Sequence, residues 1–509
     1  MNFLKRNFIF LIIFITGAAV LIIEVTAIRI LAPYFGNTLF TISSIIGIVL
    51  GALSFGYYIG GILADKYPKF SIFFLLIFIA GIFSLLIQVF SKTVLPTLGY
   101  TLNMKIGPPI TSLILFFIPS LILGMMSPFA IKLKTLELKE IGKVSGKVFF
   151  WSTLGSIIGS FLAGFFLIPH FGISKIIIST GVILIIIGFL GGWFFRNDKD
   201  KSYFKRSQLF FFMIIVLLFS VITLFSPRET SVIFRKDGLY SQITVEDIKI
   251  NNEKVRALRL DRTFEGAVFL ESNELPFEYT RYYSIYEIVN PQAEKALFLG
   301  GGAYSNPRKL LLDQNNVKRV DIVEIEPILY QLAKQYFKLQ EDPRLFNHIT
   351  DGRRFLRETN QNYDLIFADV YYSIYSIPIH FTTKEFFSLA KSRLSENGLF
   401  LMNIIGRLEG EGNPFLLSEI ATFRSVFQNS YLSAVDSPTK KGLQNFILFG
   451  LKSDSREIDF GSRQILENEN EIIRNLPKKL IKLKDLNLDS ALILTDDFAP
   501  VEYLTAKLF

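Results

Sequence analysis

Long apolar runs separated by short polar loops fill the first half of this chain, and they limit its fold more than any other feature. They extend from Phe8 to Ser226, and charged and polar residues return from Pro227 onward. A helix that spans a bilayer needs roughly 20 mostly apolar residues. Seven segments are long enough, at 8–30, 38–62, 71–91, 111–131, 149–168, 173–194 and 208–226. Residues 1–227 are therefore predicted to form a transmembrane bundle of about seven helices that contacts the lipid bilayer.

The amino-acid composition argues against several kinds of site. The chain has no cysteine, which excludes disulfides, thiolate-bound metal and a cysteine nucleophile. It has only three histidines, so we expect no metal site. Basic loops that face an anionic membrane leaflet explain the net charge of +9 better than nucleic-acid binding does. No basic stripe interleaved with aromatic residues is visible, and we expect no nucleic-acid partner.

The second half begins with short segments that are rich in β-branched residues. These segments, 231–234, 241–247 and 255–260, are separated by Gly238 and by Asn251-Asn252, which are typical of turns. They predict a small antiparallel β region over 228–275.

Strands then alternate with helices, which predicts a Rossmann-like α/β domain over 276–509. A short apolar strand, 296–299, runs directly into Gly300–Gly302, and the next strand ends at Glu324. Glycines after a strand allow a tight turn and let backbone N–H groups approach a ligand. An acidic residue about 20 positions further on is placed to accept hydrogen bonds from ribose hydroxyls.

Two further carboxylates follow strands of the same predicted sheet. Asp351 closes a third short strand, and Asp369 is the last residue of a fourth strand, 363–369. In open α/β sheets, ligands bind outside the carboxyl ends of the strands. The residues expected to meet there are Gly300, Gly301, Gly302, Glu324, Asp351 and Asp369. Their convergence predicts a nucleotide site.

These motifs resemble the spermidine synthase, or polyamine aminopropyltransferase, family. The similar runs are Leu299–Gly302, Val323–Pro327, Asp351–Leu356 and Tyr363–Asp369, with Tyr240-Ser241-Gln242 upstream. The apolar first half with Leu31–Gly36, and the segments 377–383 and 495–502, are similar to the branch of that family that is fused to a membrane bundle. The resemblance covers roughly residues 230–450.

The resemblance implies a class I S-adenosylmethionine-dependent transferase fold and transfer of an aminopropyl group from decarboxylated S-adenosylmethionine to an amine. It implies that Gln242 and Gly300–Gly302 contact the sulfonium side of the co-substrate, Glu324 the ribose and Asp351 the adenine. Asp369 is then the catalytic residue, which accepts a proton from the attacking amine. A carboxylate suits this role, because a protonated amine is not a nucleophile.

Three positions depart from the family's pattern. Ala303 and Tyr372 stand where the family usually has acidic residues, and Arg281 stands where it commonly has a glutamate. Burying the two positive charges of a diamine without carboxylate partners is costly. We therefore expect the ordinary diamine pocket of the family to be lost in this chain.

Other residues are candidates for contact with the acceptor substrate. Tyr371, Tyr372 and Tyr375 predict an aromatic wall, which suits a cation held by ring faces or an apolar, lipid-like substrate. Asp496, Asp497 and Glu502 are alternatives for the missing acids. The candidate substrate residues are Tyr279, Tyr371, Tyr372, His380 and Asp497.

Three functions fit these patterns. The first is a membrane-anchored aminopropyltransferase that acts on a small amine, with Asp369 as the base. The second is a methyltransferase that uses intact S-adenosylmethionine on a membrane-derived substrate, which explains both the bundle and the missing acids. The third is a transporter or sensor whose second half binds a nucleoside or polyamine without catalysis. A homo-oligomer is compatible with each of them.

The charge pattern and the chemistry disagree about the side of the membrane. Basic residues concentrate in the loops of one side, which places the N-terminus in the cytoplasm. Seven spans then place the second half outside, whereas sulfonium co-substrates are made and kept in the cytoplasm. We expect a multi-pass protein of the cell's inner membrane with its soluble domain in the cytoplasm.

Overall fold

The computed structural model describes residues 3–135, 137–195, 231–314, 316–370, 377–410, 413–506 and 508. The contacts within the chain separate two compact units, Met1–Glu229 and Thr230–Phe509.

All regular elements in the described residues of the first unit are helices. Its helices are α1 Phe3–Phe35, α2 Leu39–Lys66, α3 Phe70–Thr101, α4 Gly107–Gly124, α5 Met126–Lys134, α6 Ile141–Phe161, α7 Ile168–His170 and α8 Ile173–Phe194. A 3-10 turn, Leu138–Glu140, precedes α6, and a π-helical turn, Leu162–Leu167, joins α6 to α7.

Six stretches of these helices are long and apolar enough to cross a bilayer. They are Phe8–Phe35, Leu39–Lys66, Phe70–Gly99, Gly107–Lys134, Leu138–His170 and Ile173–Phe194. Large apolar side chains such as Phe55, Phe161 and Phe165 are exposed on them, which is costly in water and suits contact with lipid. The seventh predicted span, 208–226, lies outside the described residues.

Small residues let the helices of the first unit approach closely. A Cβ atom at Gly56 of α2 would lie 2.2 Å from the carbonyl oxygen of Leu121 of α4. A Cβ atom at Gly155 of α6 would lie 2.0 Å from the carbonyl oxygen of Phe14 of α1. Close backbone contact adds van der Waals attraction, which drives helix association where the surroundings are apolar.

The second unit begins with a four-stranded antiparallel sheet in the order β1-β2-β3-β4. Its strands are β1 Val232–Asp237, β2 Gln242–Ile250, β3 Glu253–Leu260 and β4 Thr263–Phe269. The turn between β2 and β3 is formed by Asn251 and Asn252, both with positive φ (49° and 68°), as a tight hairpin requires. The fourth strand, β4, is absent from the sequence prediction because Glu265 and Gly266 interrupt its pattern, and both residue types are uncommon in strands.

An eight-stranded sheet follows, in the order β12-β10-β11-β9-β8-β5-β6-β7. Its strands are β5 Lys295–Leu299, β6 Arg319–Glu324, β7 Leu345–Ile349, β8 Tyr363–Ala368, β9 Leu394–Gly406, β10 Ser430–Ala434, β11 Gln444–Leu451 and β12 Leu480–Ile481. The strands β5 to β9 pair in parallel, and β10, β11 and β12 pair antiparallel at the far side of β9.

Helices accompany the strands of this sheet. Those in the described residues are Tyr286–Val289, Ser305–Asp313, Leu329–Tyr336, Gly352–Glu358, Lys384–Ser392, Asn413–Arg424, Arg463–Leu466, Glu471–Lys479 and Val501–Thr505. The 3-10 turns are Glu278–Ile285, Ile379–Phe381 and Leu483–Asp485.

The central strand β5 is buried on both faces. Ala296 and Phe298 belong to one hydrophobic cluster, and Leu297 and Leu299 belong to another. Successive side chains of a strand point to opposite faces of a sheet, so each face of β5 supports its own core. Parallel strands that are covered on both faces have continuous apolar sequences, which is why this strand was predicted correctly.

The chain order reverses between β5 and β8. From β5 the chain proceeds to β6 and β7 on one side, and then crosses to β8 and β9 on the other. In open α/β sheets of this kind a crevice forms at the point of reversal, outside the carboxyl ends of the strands. The predicted Rossmann-like α/β fold is confirmed, and the fold places a binding crevice after β5 and β8.

Candidate active site

A cleft opens at the carboxyl ends of β5, β6 and β8. The residues predicted from the strand ends all line it, namely Gly300, Gly301, Gly302, Glu324, Asp351 and Asp369. They come from four separate stretches of the chain, and the parallel pairing of the strands brings them together.

The end of β5 is bound tightly to the end of β8. The backbone N–H of Asp369 donates to the carbonyl oxygen of Leu299 at 2.9 Å. Gly300, which follows, has φ of 93°, and a Cβ atom there would lie 2.0 Å from the carbonyl oxygen of Asp369. Only glycine fits this position, because a side chain would both strain the backbone and collide with the neighbouring strand end.

The side chain of Glu324 fastens the glycine turn to the end of β6. Its Oε2 accepts hydrogen bonds from the N–H groups of Gly301 and Gly302, at 2.9 and 3.1 Å. Its Oε1 accepts from the N–H of Glu326 at 2.8 Å. Burial raises the pKa of the Glu324 carboxyl, and these backbone donors oppose that effect. Glu324 therefore orders the turn as well as lining the cleft.

Asp351 occupies the start of the helix Gly352–Glu358. One carboxylate oxygen accepts from the backbone N–H of Arg354 at 2.9 Å, as a helix cap does. The other lies 2.9 Å from Nε2 of His380. Burial favours the neutral acid, but the hydrogen bond with His380 and those from the backbone hold the pKa of Asp351 below its usual value. His380, predicted to contact substrate, therefore orients Asp351.

Asp369 lies half-buried at the end of β8 and is held by two neutral side chains. Nδ2 of Asn403 donates to its Oδ1 at 3.0 Å, and the hydroxyl of Tyr279 donates a second hydrogen bond. Asn445 in turn donates to Oδ1 of Asn403 at 2.8 Å. Burial raises the pKa of Asp369 to about 6, and the bonds from Asn403 and Tyr279 oppose the rise. The carboxylate is therefore mostly ionised at neutral pH, and its pKa is close enough to neutral pH for it to accept a proton readily.

Tyr279, a predicted substrate residue, lies in the 3-10 turn Glu278–Ile285. Burial, together with the charges of Asp369 and Glu265, raises the pKa of its hydroxyl well above the usual value. Tyr279 therefore stays protonated and donates to Asp369. Its neighbour Thr280 lines the cleft, whereas Arg281 turns away and donates to the carbonyl oxygen of Leu275 at 2.8 and 2.7 Å.

Two of the other predicted site residues, Gln242 and Asp497, do not line the cleft. Gln242 donates its backbone N–H to Asp261 at 2.8 Å and its side-chain amide to Asp237 at 3.1 Å. Its neighbours Tyr240 and Ser241 line the cleft instead. Asp497 is exposed to solvent and is not among the lining residues.

The acids of the C-terminal segment do not stand in the cleft either. Asp496 is paired with both terminal nitrogens of Arg353, at 2.7 and 2.5 Å, and accepts a hydrogen bond from Thr383. It fixes the C-terminal segment to the α/β core. The predicted aromatic wall of Tyr371, Tyr372 and Tyr375 lies outside the described residues. Within the described ranges, no group of three His, Asp or Glu side chains is placed to hold a metal ion.

Glu265 of β4 lines the cleft and was missed by the sequence prediction. Its Oε1 is buried and has no hydrogen-bond partner among the residues that the structure describes. Burial, and then the charges of Asp369, Glu324 and Asp261, raise the pKa of Glu265 well above its usual value. Glu265 is recognised as a cleft residue only once β4 is seen to pair with β3 and to lie beside the glycine turn.

The match to a known family agrees with this geometry. Residues 285–461 match the family model of the spermine/spermidine synthase domain. The second unit contains a spermidine synthase domain. The resemblance inferred from the motifs is therefore confirmed.

Curated relatives extend the match beyond the spermidine synthase domain. The chain is 27% identical to the polyamine aminopropyltransferase of Vibrio vulnificus, and the match covers 57% of this chain and 98% of that protein. It is 26% identical to the polyamine aminopropyltransferase of Oceanobacillus iheyensis, and that match covers 63% of this chain and 64% of that protein. The second match is longer than the second unit, so it includes part of the helical unit. The prediction of a transferase enzyme is confirmed.

A solved structure is similar to the second unit. The probable spermidine synthase of Corynebacterium glutamicum is 21% identical, and the match covers 52% of this chain and 97% of that chain with a TM-score of 0.43.

We expect Glu265→Gln to stabilise the protein, and to do so more at pH 8 than at pH 5. The folded-state pKa of Glu265 lies above its unfolded value, so the cost of this acid to folding grows as pH rises. The gain at pH 8 should be at least about 1 kcal/mol, because the neutral amide replaces a buried charge, which costs more to bury than a neutral polar group. Thermal unfolding of the full chain in detergent at both pH values measures it. Glu271→Gln, an exposed acid just after β4, is the control and should change neither midpoint.

Proposed function

We propose that the protein is a membrane-anchored enzyme that transfers an aminopropyl group from decarboxylated S-adenosylmethionine to an amine acceptor. The observation that carries the proposal is Asp369, a carboxylate with a pKa of about 6 at the crevice of a spermidine synthase domain. The name of the relatives from Vibrio vulnificus and Oceanobacillus iheyensis, polyamine aminopropyltransferase, supports the same activity.

The charges of the cleft suit this co-substrate. Decarboxylated S-adenosylmethionine carries a sulfonium and an ammonium group and no carboxylate. Glu265, Glu324 and Asp369 line one cleft, and the charges of Asp369 and Glu324 both act on Glu265. A ligand with two positive charges relieves the repulsion among these acids, which is why the residues present fit it.

The resemblance and the geometry support the following binding residues. Glu324 at the tip of β6 accepts hydrogen bonds from the ribose hydroxyls, and Asp351, held by His380, accepts from the adenine amino group. The glycine turn Gly300–Gly302 lets the backbone approach the sulfonium side. Glu324, Asp351 and Gly300–Gly302 all line the cleft.

Asp369 prepares the acceptor for attack. The ionised carboxylate attracts the ammonium form of the acceptor and takes its proton, and the free amine nitrogen then attacks the carbon next to the sulfonium. A C–N bond forms and a C–S bond breaks, so that methylthioadenosine leaves as a neutral product. Tyr279 and Asn403 keep the Asp369 carboxylate in place throughout.

Replacing Asp369 by asparagine should lower turnover by about 100-fold to 10,000-fold, the usual contribution of a general base, because an amide accepts no proton. Release of methylthioadenosine by the full chain in detergent, supplied with the co-substrate and a panel of amines, measures turnover. Asp489→Asn, an exposed acid, is the control and should leave turnover unchanged. Full activity of the Asp369→Asn variant would exclude the assigned role.

Replacing Asn403 by alanine should move the acidic limb of the pH profile upward. Wild-type activity should fall as pH falls through about 6, since protonated Asp369 accepts no proton. The bond from Asn403 lowers the pKa of Asp369, so its removal raises that pKa, and the variant should lose activity at a higher pH. The pH dependence of kcat/KM for both proteins measures the shift. An acidic limb at the same pH in both would show that another group controls it.

Methyl transfer from intact S-adenosylmethionine is the second candidate. Ala303 stands where the spermidine synthase family usually has an acid, which favours a substrate other than a diamine. The same turnover assay separates the candidates when it is supplied with intact S-adenosylmethionine, because methyl transfer releases S-adenosylhomocysteine instead of methylthioadenosine. If neither product forms in a folded sample, the transporter or sensor becomes the leading function.

We further propose that the spermidine synthase domain lies on the cytoplasmic side of the cell's inner membrane. Lys132 pairs with Asp65 at 2.7 Å, so the basic ends of α2 and α5 lie on one side of the bundle. Basic loops face the cytoplasm. An even number of spans after a cytoplasmic N-terminus returns the chain to that side, where the co-substrate is made.

Cysteine labelling tests this orientation without background, because the chain contains no cysteine. Ser490→Cys is exposed in the second unit, and Lys105→Cys is exposed in the loop between α3 and α4. In intact cells a membrane-impermeant maleimide should label Lys105→Cys alone, and both variants should react after permeabilisation. Labelling of Ser490→Cys in intact cells would place the domain outside and would support a span at 208–226.

A further inference from the structure

We propose that Glu265 binds the ammonium group at the end of the co-substrate's aminopropyl arm and thereby selects decarboxylated over intact S-adenosylmethionine. The inference rests on the proposed aminopropyl transfer and assigns a further residue of the same site.

The strand β4 lies directly against the glycine turn. A Cβ atom at Gly302 would lie 2.5 Å from the carbonyl oxygen of Glu265, and one at Gly266 would lie 2.7 Å from Cβ of Ala303. This contact needs small residues on both sides. It places the side chain of Glu265 at the wall of the cleft beside the turn.

Ala303, which follows the glycine turn, also lies against β4. It is only 2% exposed, and a Cβ atom at Gly266 would touch its own Cβ atom. The residue before Gly266 is Glu265, which does face the cleft. The chain thus supplies from β4 the carboxylate that its glycine turn lacks.

Glu265 differs from the other acids of the cleft in its unused hydrogen-bonding capacity. Glu324 accepts from backbone N–H groups, and Asp369 accepts from Asn403 and Tyr279. Oε1 of Glu265 is buried without a hydrogen-bond partner in the described part of the chain. An acid left in this state costs stability unless a bound group pairs with it. The ammonium group of a ligand can donate the hydrogen bond that Oε1 lacks.

The neighbours of Glu265 place this ammonium on the co-substrate. The charge of Glu265 interacts with that of Asp369, which serves the attacking amine, and with that of Glu324, which serves the ribose. In the proposed reaction the aminopropyl arm extends from the nucleoside, which Glu324 serves, toward the attacking amine, which Asp369 serves. Glu265 lines the same cleft as both acids, and we assign the end of the arm to it.

Intact S-adenosylmethionine carries a carboxylate on the carbon that bears its amino group. Near Glu265, Glu324 and Asp369, this carboxylate meets like charges, which disfavour binding. A glutamine at position 265 keeps the shape of the side chain but has no charge, so it loses the charge attraction for the ammonium of the decarboxylated ligand. It can also donate a hydrogen bond to the carboxylate of the intact ligand, so it no longer repels that carboxylate.

Calorimetric titration of the full chain in detergent tests the assignment with three ligands: decarboxylated S-adenosylmethionine, intact S-adenosylmethionine and methylthioadenosine, which has no aminopropyl arm. Glu265→Gln should weaken the decarboxylated ligand about 10-fold to 100-fold, as the loss of a bond between charged groups does. The ratio of the affinity for the decarboxylated ligand to that for the intact ligand should fall by at least the same factor. Methylthioadenosine should bind as it does to the wild type. Glu271→Gln, the matched control outside the cleft, should behave as the wild type.

Two results would overturn the assignment. An equal loss for methylthioadenosine would mean that Glu265 only shapes the nucleoside site. An unchanged affinity for the decarboxylated ligand, with a raised KM for the amine, would mean that Glu265 serves the acceptor. Measurements on the wild type test the proposed function separately. The proposed function is wrong if the wild-type chain binds only intact S-adenosylmethionine or transfers no aminopropyl group. A wild type that prefers the decarboxylated ligand, with an unchanged variant, overturns the Glu265 assignment alone.

Discussion

The parallel pairing of β5 with β6 and β8 is the constraint on which the active site depends. The N–H of Gly300 donates to the carbonyl oxygen of Val323, and that of Asp369 donates to the carbonyl oxygen of Leu299, both at 2.9 Å. These two bonds join the ends of three strands at the point where the chain order reverses. The glycine turn, Glu324 and Asp369 follow those ends directly. Their separations are therefore fixed by backbone hydrogen bonds, and the side chains need little further ordering.

Each acid that gathers at this point reaches a different electrostatic state, because each has different partners. Backbone donors satisfy Glu324, and His380 holds the pKa of Asp351 low. Asp369, with neutral partners only, has a pKa of about 6, and Glu265 has a buried oxygen without a partner among the described residues. Under the proposed function, binding, proton transfer and selection of a cation fall to different carboxylates of one cleft. The sheet that carries Glu265 is part of the active site for this reason.

The candidate residues that the structure brings together in the cleft lie next to strands. Gly300–Gly302, Glu324, Asp351 and Asp369 were recognised because an apolar strand is visible in the sequence and the residue after it lies at a known edge of the sheet. Glu265 was missed because Gly266 interrupts the strand pattern around it. Asp496 was considered for the substrate and is instead paired with Arg353. This pair could not be predicted, because its two partners lie far apart in the sequence.

The sequence by itself determined the apolar helices, the alternation of strands and helices, and the acids at the strand ends. Hydrophobic period and turn residues act over a few positions, so they can be recognised without the fold. Tertiary structure alone decided that Tyr279 and Asn403 hold Asp369, and that β4 brings Glu265 to the glycine turn. These contacts join residues far apart in the chain, and they depend on how whole elements pack, which no local pattern records.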